Sequence, residues 1–173
     1  EYALPYLRKI KEKYKEKVRF KVIGDGLYKN EELGIQGISW SKENELKELS
    51  DIDIGIMPLP NDEWAKGKCG LKGLQYMGLM IPTIMSPVGV NTEIIENGVD
   101  GFLAEEDHEW KEKLEKLIEN PELREKMGKN AREKVNKKYS FDAQKKNYLN
   151  YFNELLNSNN KNEETKKVKK QEE

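Results

Sequence analysis

The residues best suited to chemistry are gathered in one stretch, Lys66-Gly-Lys-Cys-Gly-Leu-Lys-Gly-Leu-Gln-Tyr-Met77. The apolar run Ile54-Gly-Ile-Met-Pro-Leu59 ahead of it reads as a buried strand. Leu71 to about Leu79 reads as a helix entered through a glycine-punctuated loop. At about 100° per residue, Lys68, Lys72, Gln75 and Tyr76 fall within an arc of roughly 100°, while Leu74 and Met77 face the other way. A helix start already offers unpaired N–H groups and the positive end of its dipole, and two ammonium groups add to the attraction for an anion. A phosphate or diphosphate is the guest this pattern suits. The plainer alternative is two surface lysines in a chain that holds 31 lysines and arginines.

Such a stretch needs a scaffold. A second apolar run, Pro82 to Met85, leads into the tight loop Ser86-Pro-Val-Gly89 and a helix over Thr92–Glu96 capped by Asn91, which Asn97-Gly98 ends in a left-handed turn. Strand, glycine loop and helix, repeated, is the pattern of an α/β fold with a doubly wound parallel sheet, in which ligands lie at the carboxyl ends of the strands. Upstream, Ala3, Leu7, Ile10 and Tyr14 predict an amphipathic helix over 2–16. Val18 to Ile23 and Ile35 to Trp40 predict strands, and Ser41 caps a helix through Leu49. Downstream, Phe102 to Ala104 predicts a last strand, with helices following from His108, from Asn120-Pro121 and from Ser140. The folded domain is expected to span 1–156, and the polar, aperiodic segment 157–173 to form a disordered tail.

A doubly wound order of 3-2-1-4-5-6 gives this chain strands two to six. The chain opens in a helix at Glu1, so strand one is expected upstream and absent here. Strands two and four should then lie about 10 Å apart and share no ladder hydrogen bonds.

Composition narrows the functional classes. Charged and apolar residues each make up 36% of the 173 residues, and the net charge is −1. That balance argues against a general nucleic-acid binder, which needs a basic surplus to displace counterions. One cysteine and one histidine leave no disulfide framework and make a His/Cys zinc site improbable. No apolar run reaches membrane-spanning length and no signal peptide is visible, so a cytoplasmic location is expected, with peripheral membrane contact left open. Asp51-Ile-Asp53 has the spacing of a metal pair but precedes its strand, away from the ligand side, so loop solvation explains it and no metal is expected. His108 reads as an exposed first-turn residue. Gly24-Asp-Gly26 tempts a dinucleotide reading, yet Lys29 stands where the third glycine is wanted, and a strand-end turn is the better interpretation.

The run from Asp53 to Ser140, with GIMPLPNDEWAKGKCGLKGLQYMGLMIPTIMSPVGVNTEIIENGVDGFLA at its heart, resembles the donor-binding half of retaining GT-B glycosyltransferases, family four or group one. The resemblance covers most of residues 1–156, including VIGDG at Val22–Gly26. It implies a nucleoside diphosphate sugar as donor and no further cofactor. Backbone amides around Cys69, Gly70 and Leu71 would touch the phosphates, and Trp40 stands where the family's loops bracket the nucleobase. Lys68 and Lys72 are added from the helical wheel. Many members carry two glutamates eight positions apart, touching donor sugar and ribose. Here Gly67 and Gln75 stand at those places, so the sugar contact is in question, although Gln75 can still accept a ribose hydroxyl's hydrogen bond. The acceptor site and the catalytic groups would belong to an N-terminal domain, onto which the last helix crosses back with Phe152, Leu155 and Leu156. Two alternatives stay open: a non-catalytic nucleotide-sugar sensor, and a dinucleotide-dependent oxidoreductase, which lacks an acidic ribose ligand because Trp40 and Ser41 occupy its place.

Overall fold

The computed structural model of the chain describes residues 2–169, with side chains through residue 157. The chain divides into two compact units, Glu1–Val135 and Asn136–Glu173.

The first unit begins with helix α1 (Leu4–Tyr14), which carries Pro5 in its opening turn, where no N–H is required, and runs into a 3-10 turn at Lys15–Lys17. It buries Tyr6, Leu7 and Ile10. Strand β1 (Ile23–Gly24) follows, then β2 (Lys29–Asn30), β3 (Ile35–Gln36) and β4 (Ile38–Ser39). The single strand expected over Ile35–Trp40 is therefore two. Gly37 is the break: its N–H donates to the Tyr28 carbonyl at 2.8 Å, and a Cβ there would collide with the Asp25 carbonyl. Ahead of it β3 pairs antiparallel with β2, and beyond it β4 pairs parallel with β1. Gly24-Asp-Gly26 leads into this hairpin, not a helix, through an Asx turn in which the Leu27 N–H donates to Asp25 Oδ1 at 2.9 Å.

Helix α2 (Glu45–Ser50) starts later than Ser41 implies, because Ser41 and Asn44 first close a turn on each other. Then come β5 (Gly55–Met57), α3 (Glu63–Lys66), α4 (Leu71–Gly78), β6 (Thr83–Met85), α5 (Asn91–Ile94) and β7 (Phe102–Leu103). Strands β5, β6 and β7 form one parallel sheet, with Ile56 opposite Ile84 and Ile84 opposite Phe102. The order is β4-β1 in one sheet and β5-β6-β7 in another. Among the described residues no ladder hydrogen bond joins Val18–Ile23 to Ile54–Leu59, as the expected order requires.

Helix α6 (Asp107–Glu119) starts with a capping box in which Glu106 and Glu109 satisfy each other's backbone N–H groups. The N–H groups of Glu105 and Glu106 hold the Glu109 carboxyl below its usual range. Helix α7 (Pro121–Lys138) is capped by Asn120, whose Oδ1 accepts from the Leu123 N–H at 2.9 Å. One core joins α1, the β2–β3 hairpin, the three-stranded sheet and α6: Tyr6, Leu33, Ile35, Ile84, Phe102, Trp110 and Leu117 are all buried in it. The Tyr6 and Trp110 rings stack with centroids 5.1 Å apart and planes nearly parallel.

In the second unit, helix α8 (Phe141–Lys169) begins at Ser140, whose Oγ accepts from the Ala143 N–H at 3.2 Å. Phe152, Leu155 and Leu156 are exposed, in contrast to the buried Leu114 and Leu117 of α6. The backbone of α8 is helical into the segment that composition reads as a disordered tail; residues 170–173 of that segment lie outside the described residues.

The Tyr6 hydroxyl is buried with no hydrogen-bond partner among the described residues, and burial, aided by the charge of Asp107, pushes its pKa up. Tyr6→Phe should therefore leave stability unchanged or raise it, while Trp110→Ala should cost about 3–5 kcal/mol through the cavity it opens. Urea denaturation midpoints decide it. A Tyr6→Phe loss as large as that of Trp110→Ala would mean that the hydroxyl is satisfied in solution.

Candidate functional site

The carboxyl ends of β5 and β6 both open into glycine-containing loops, and the two loops meet. A Cβ on Gly89, which has φ +55°, would stand 2.6 Å from the Lys66 carbonyl, so backbone lies directly on backbone. Ser86 ties the loops further: its Oγ accepts from the Leu59 N–H at 2.9 Å, and its carbonyl accepts from Asn91 Nδ2 at 2.9 Å. Asn91 is only 1% exposed. This corrects its expected role. Val90 occupies the N-cap of α5, and Asn91 makes no capping bond but staples α5 to the loop.

The loop after β5 is more structured than its sequence suggests. Asp62 caps the short helix α3 by accepting from the Ala65 N–H at 2.7 Å, and the Lys68 N–H closes a turn on the Ala65 carbonyl. Gly70 then adopts a left-handed conformation, φ +69° and ψ +15°, and serves as the N-cap of α4. A side chain at Gly70 would collide with Ile94 Cδ1, so the position excludes one on both strain and space. A glycine cap brings no side-chain acceptor, and the first turn of α4 holds no acidic residue. The N–H groups of Leu71, Lys72 and Gly73 therefore lack intrahelical acceptors, and the dipole's positive end is uncompensated. Gly73 lets this helix lie against β6, with Met85 Sδ 2.5 Å from where its Cβ would be.

The expected site residues divide into two groups around this point. Cys69 and Leu71 flank Gly70 and are exposed, and Lys72 stands exposed in the first turn with no ion pair among the described residues. Lys68, however, lies before α4 and does not share its face. The wheel fails there because the left-handed Gly70 resets the helical phase. The Lys68 ammonium sits 3.7 Å over the ring of Trp64, an exposed tryptophan of α3. Gly67 ends α3 at φ −76°.

The second group lies one turn further along α4. Gln75 Nε2 donates to Glu45 Oε1 at 3.1 Å, and the Trp40 indole N–H donates to the same oxygen at 2.9 Å. Glu45 was not singled out by the sequence, where it is one acidic residue among 32. Its only distinguishing mark there is a position just past Trp40. Among the described residues the buried Gln75 carbonyl oxygen has no hydrogen-bond partner.

Asp51 pairs with Lys21 at 2.9 Å on the opposite, amino-end side of β5, and hydrogen bonding to that ammonium holds its carboxyl down. Among the described residues no group of His, Cys, Asp and Glu side chains is placed to hold a metal ion, and no helix is long and apolar enough to cross a membrane.

Parallel strands with an uncapped helix start at their carboxyl ends make this a doubly wound α/β domain, and comparison with known proteins narrows it to the GT-B type. Residues 1–134 match the family described as glycosyl transferases group 1, and the chain belongs to that family. It is 32% identical, over 133 residues, to an uncharacterized glycosyltransferase of Methanocaldococcus jannaschii, covering 71% of this chain and 37% of that one. Among solved structures it is similar to Staphylococcus aureus TarM, in a complex that includes UDP, with TM-score 0.67 and 21% identity over 88% of this chain and 33% of that one. It is equally similar in fold to Anabaena HepE in complex with UDP, with TM-score 0.67 and 14% identity over 88% of this chain and 45% of that one. The chain thus spans less than half the length of each of these proteins. Family membership removes the oxidoreductase alternative, in keeping with the hairpin that follows Gly24-Asp-Gly26.

Gly70→Ala should destabilise the chain by about 1–3 kcal/mol, from left-handed strain and overpacking against Ile94. Gly67→Ala should be within about 0.5 kcal/mol of the parent, because its backbone is ordinary and a Cβ meets only the Trp64 carbonyl at 3.5 Å. Thermal midpoints of the two variants, measured side by side, check this. Equal losses would contradict the conclusion that position 70 requires glycine.

Proposed function

We propose that this chain is the nucleotide-sugar-binding part of a glycosyltransferase that moves a sugar from a nucleoside diphosphate sugar to an acceptor hydroxyl with retention of configuration. The observation that carries this reading is the start of α4, where uncapped amides follow a left-handed glycine at the carboxyl edge of the sheet. The UDP present in two structures of similar fold supports a nucleoside diphosphate as the ligand. In that reaction the bond from the anomeric carbon to the diphosphate oxygen breaks, and a bond to the acceptor oxygen replaces it while the acceptor's proton leaves. The task on this side is to hold the charge that gathers on the departing diphosphate. We assign that task to the N–H groups of Leu71, Lys72 and Gly73, with Cys69 and Gly70 shaping the turn before them, and to the ammonium of Lys72. Lys68 is held over the Trp64 ring while Lys72 has no ion pair among the described residues, so we assign Lys72 the larger share. Gln75 and Trp40 serve the nucleoside end. The acceptor site and catalytic groups are assigned to an N-terminal domain, so residues 1–173 alone bind donor weakly and transfer nothing. No further cofactor and a cytoplasmic location go with this reading.

A non-catalytic nucleotide-sugar module is the second reading, and Gly67 favours it. The backbone there tolerates a side chain, so nothing in the fold forces the family's first glutamate to be missing. Transfer assays on the full-length protein with and without Gly67→Glu separate the two readings. Activity in the parent establishes the enzyme, and activity only in the variant establishes the module.

A thermal-shift screen of nucleoside diphosphates should raise the midpoint, since ligand bound only to the folded state stabilises it. Replacing Lys68 and Lys72 together by alanine should weaken UDP binding, with each charge-assisted contact worth about 1.5–3 kcal/mol. Unchanged affinity in the double variant would remove the lysines from the site.

A further inference from the structure

Glu45 ties together two side chains that belong to opposite parts of the fold. Trp40 follows β4, in the two-stranded parallel sheet, while Gln75 lies on α4, which packs on the three-stranded sheet. No strand bridges these sheets among the described residues, yet one carboxylate oxygen receives a hydrogen bond from each side, at 2.9 and 3.1 Å. The segment that presents it is itself fixed: Asn44 Nδ2 donates to the Ser39 carbonyl, and Asn44 Oδ1 accepts from the Ser41 N–H.

The consequence falls on Gln75. An amide can turn over, offering either two donors or an acceptor to whatever lies beyond it. A carboxylate only accepts, so Glu45 can bind only the NH₂ end and thereby locks the amide one way round. The Gln75 carbonyl is left buried and without a partner among the described residues. A buried acceptor with no donor is unfavourable, and it persists where a ligand group supplies the missing hydrogen.

We infer that Glu45 is a positioning residue of the nucleoside end of the site: it holds Gln75 so that its carbonyl accepts from a ribose hydroxyl, and holds Trp40 edge-on beside it. This rests on the nucleotide-sugar reading above. It also accounts for the glutamine at position 75. Glu45 of α2 thus acts on the site through the Gln75 amide.

The test compares UDP with 2′,3′-dideoxyuridine diphosphate, and both with inorganic diphosphate, by calorimetric titration of the full-length protein. The parent should prefer UDP over the dideoxy analogue by about tenfold, the order of one neutral hydrogen bond. In Glu45→Ala that preference should fall to about twofold or less, while affinity for inorganic diphosphate stays the same. Glu45→Gln should keep most of the preference, because its amide carbonyl can accept both bonds. Undiminished preference in Glu45→Ala would overturn the inference while leaving the nucleotide reading intact. A parallel loss of inorganic diphosphate binding would overturn it too, by showing a structural role only. If the parent binds neither UDP nor any other nucleoside diphosphate, the nucleotide reading is rejected, and this inference with it; if it binds another one, that nucleotide and its dideoxy analogue replace UDP in the comparison.

Discussion

Everything at the site depends on one backbone reversal, the left-handed turn at Gly70. It lets the chain leave the turn after α3 and enter α4 at once, with no room for a capping side chain. The amides that a serine or aspartate would ordinarily satisfy are left facing outward. Close backbone contact keeps them there. Gly89 touches the Lys66 carbonyl, Gly73 lies against Met85, and Asn91 anchors the second loop to Ser86. Side chains at these glycines would wedge loop from loop or helix from strand. The site is thus assembled from the absence of side chains as much as from their presence.

The second constraint is that the hydrogen-bond ladder is divided while the apolar core is not. Val18, Phe20 and Val22 from one side pack on the same cluster as Ile54, Ile56 and Ile84 from the other. Burial holds the two sheets on a common core, with α1 and α6 covering them through Tyr6 and Trp110. On the ligand side the connection is polar and rests on Glu45. A shift of that carboxylate by a hydrogen-bond length would move Trp40 relative to the start of α4.

Much of this was legible in the residues. The alternation of β5, α4, β6 and α5 follows from glycine loops between short apolar runs, and the helix ends at Asn120 and Ser140 from their capping side chains. The wheel that put Lys68 beside Lys72 was misled because a wheel assumes one continuous helix, and a left-handed residue between them breaks the phase. Ile35–Trp40 read as one strand because its apolar residues are closely spaced, although their alternation changes phase between Ile35 and Ile38 at Gly37, where the backbone closes on Asp25 and the two strands part. Asn91 read as a cap because its type suits one; its burial was set by the tertiary contact with Ser86. Glu45 could not be found from sequence at all. Its partners lie 5 and 30 residues away, and its type is the commonest kind of surface residue.

The central claim is that the open amides at the start of α4 bind the diphosphate of a nucleotide. Backbone amide resonances, followed by NMR during titration with UDP, test it most directly. The account predicts saturable shifts concentrated on Gly70, Leu71, Lys72 and Gly73, with inorganic diphosphate reproducing these shifts and leaving Trp40 and Gln75 unmoved. Shifts from UDP that leave Gly70–Gly73 unchanged would contradict it.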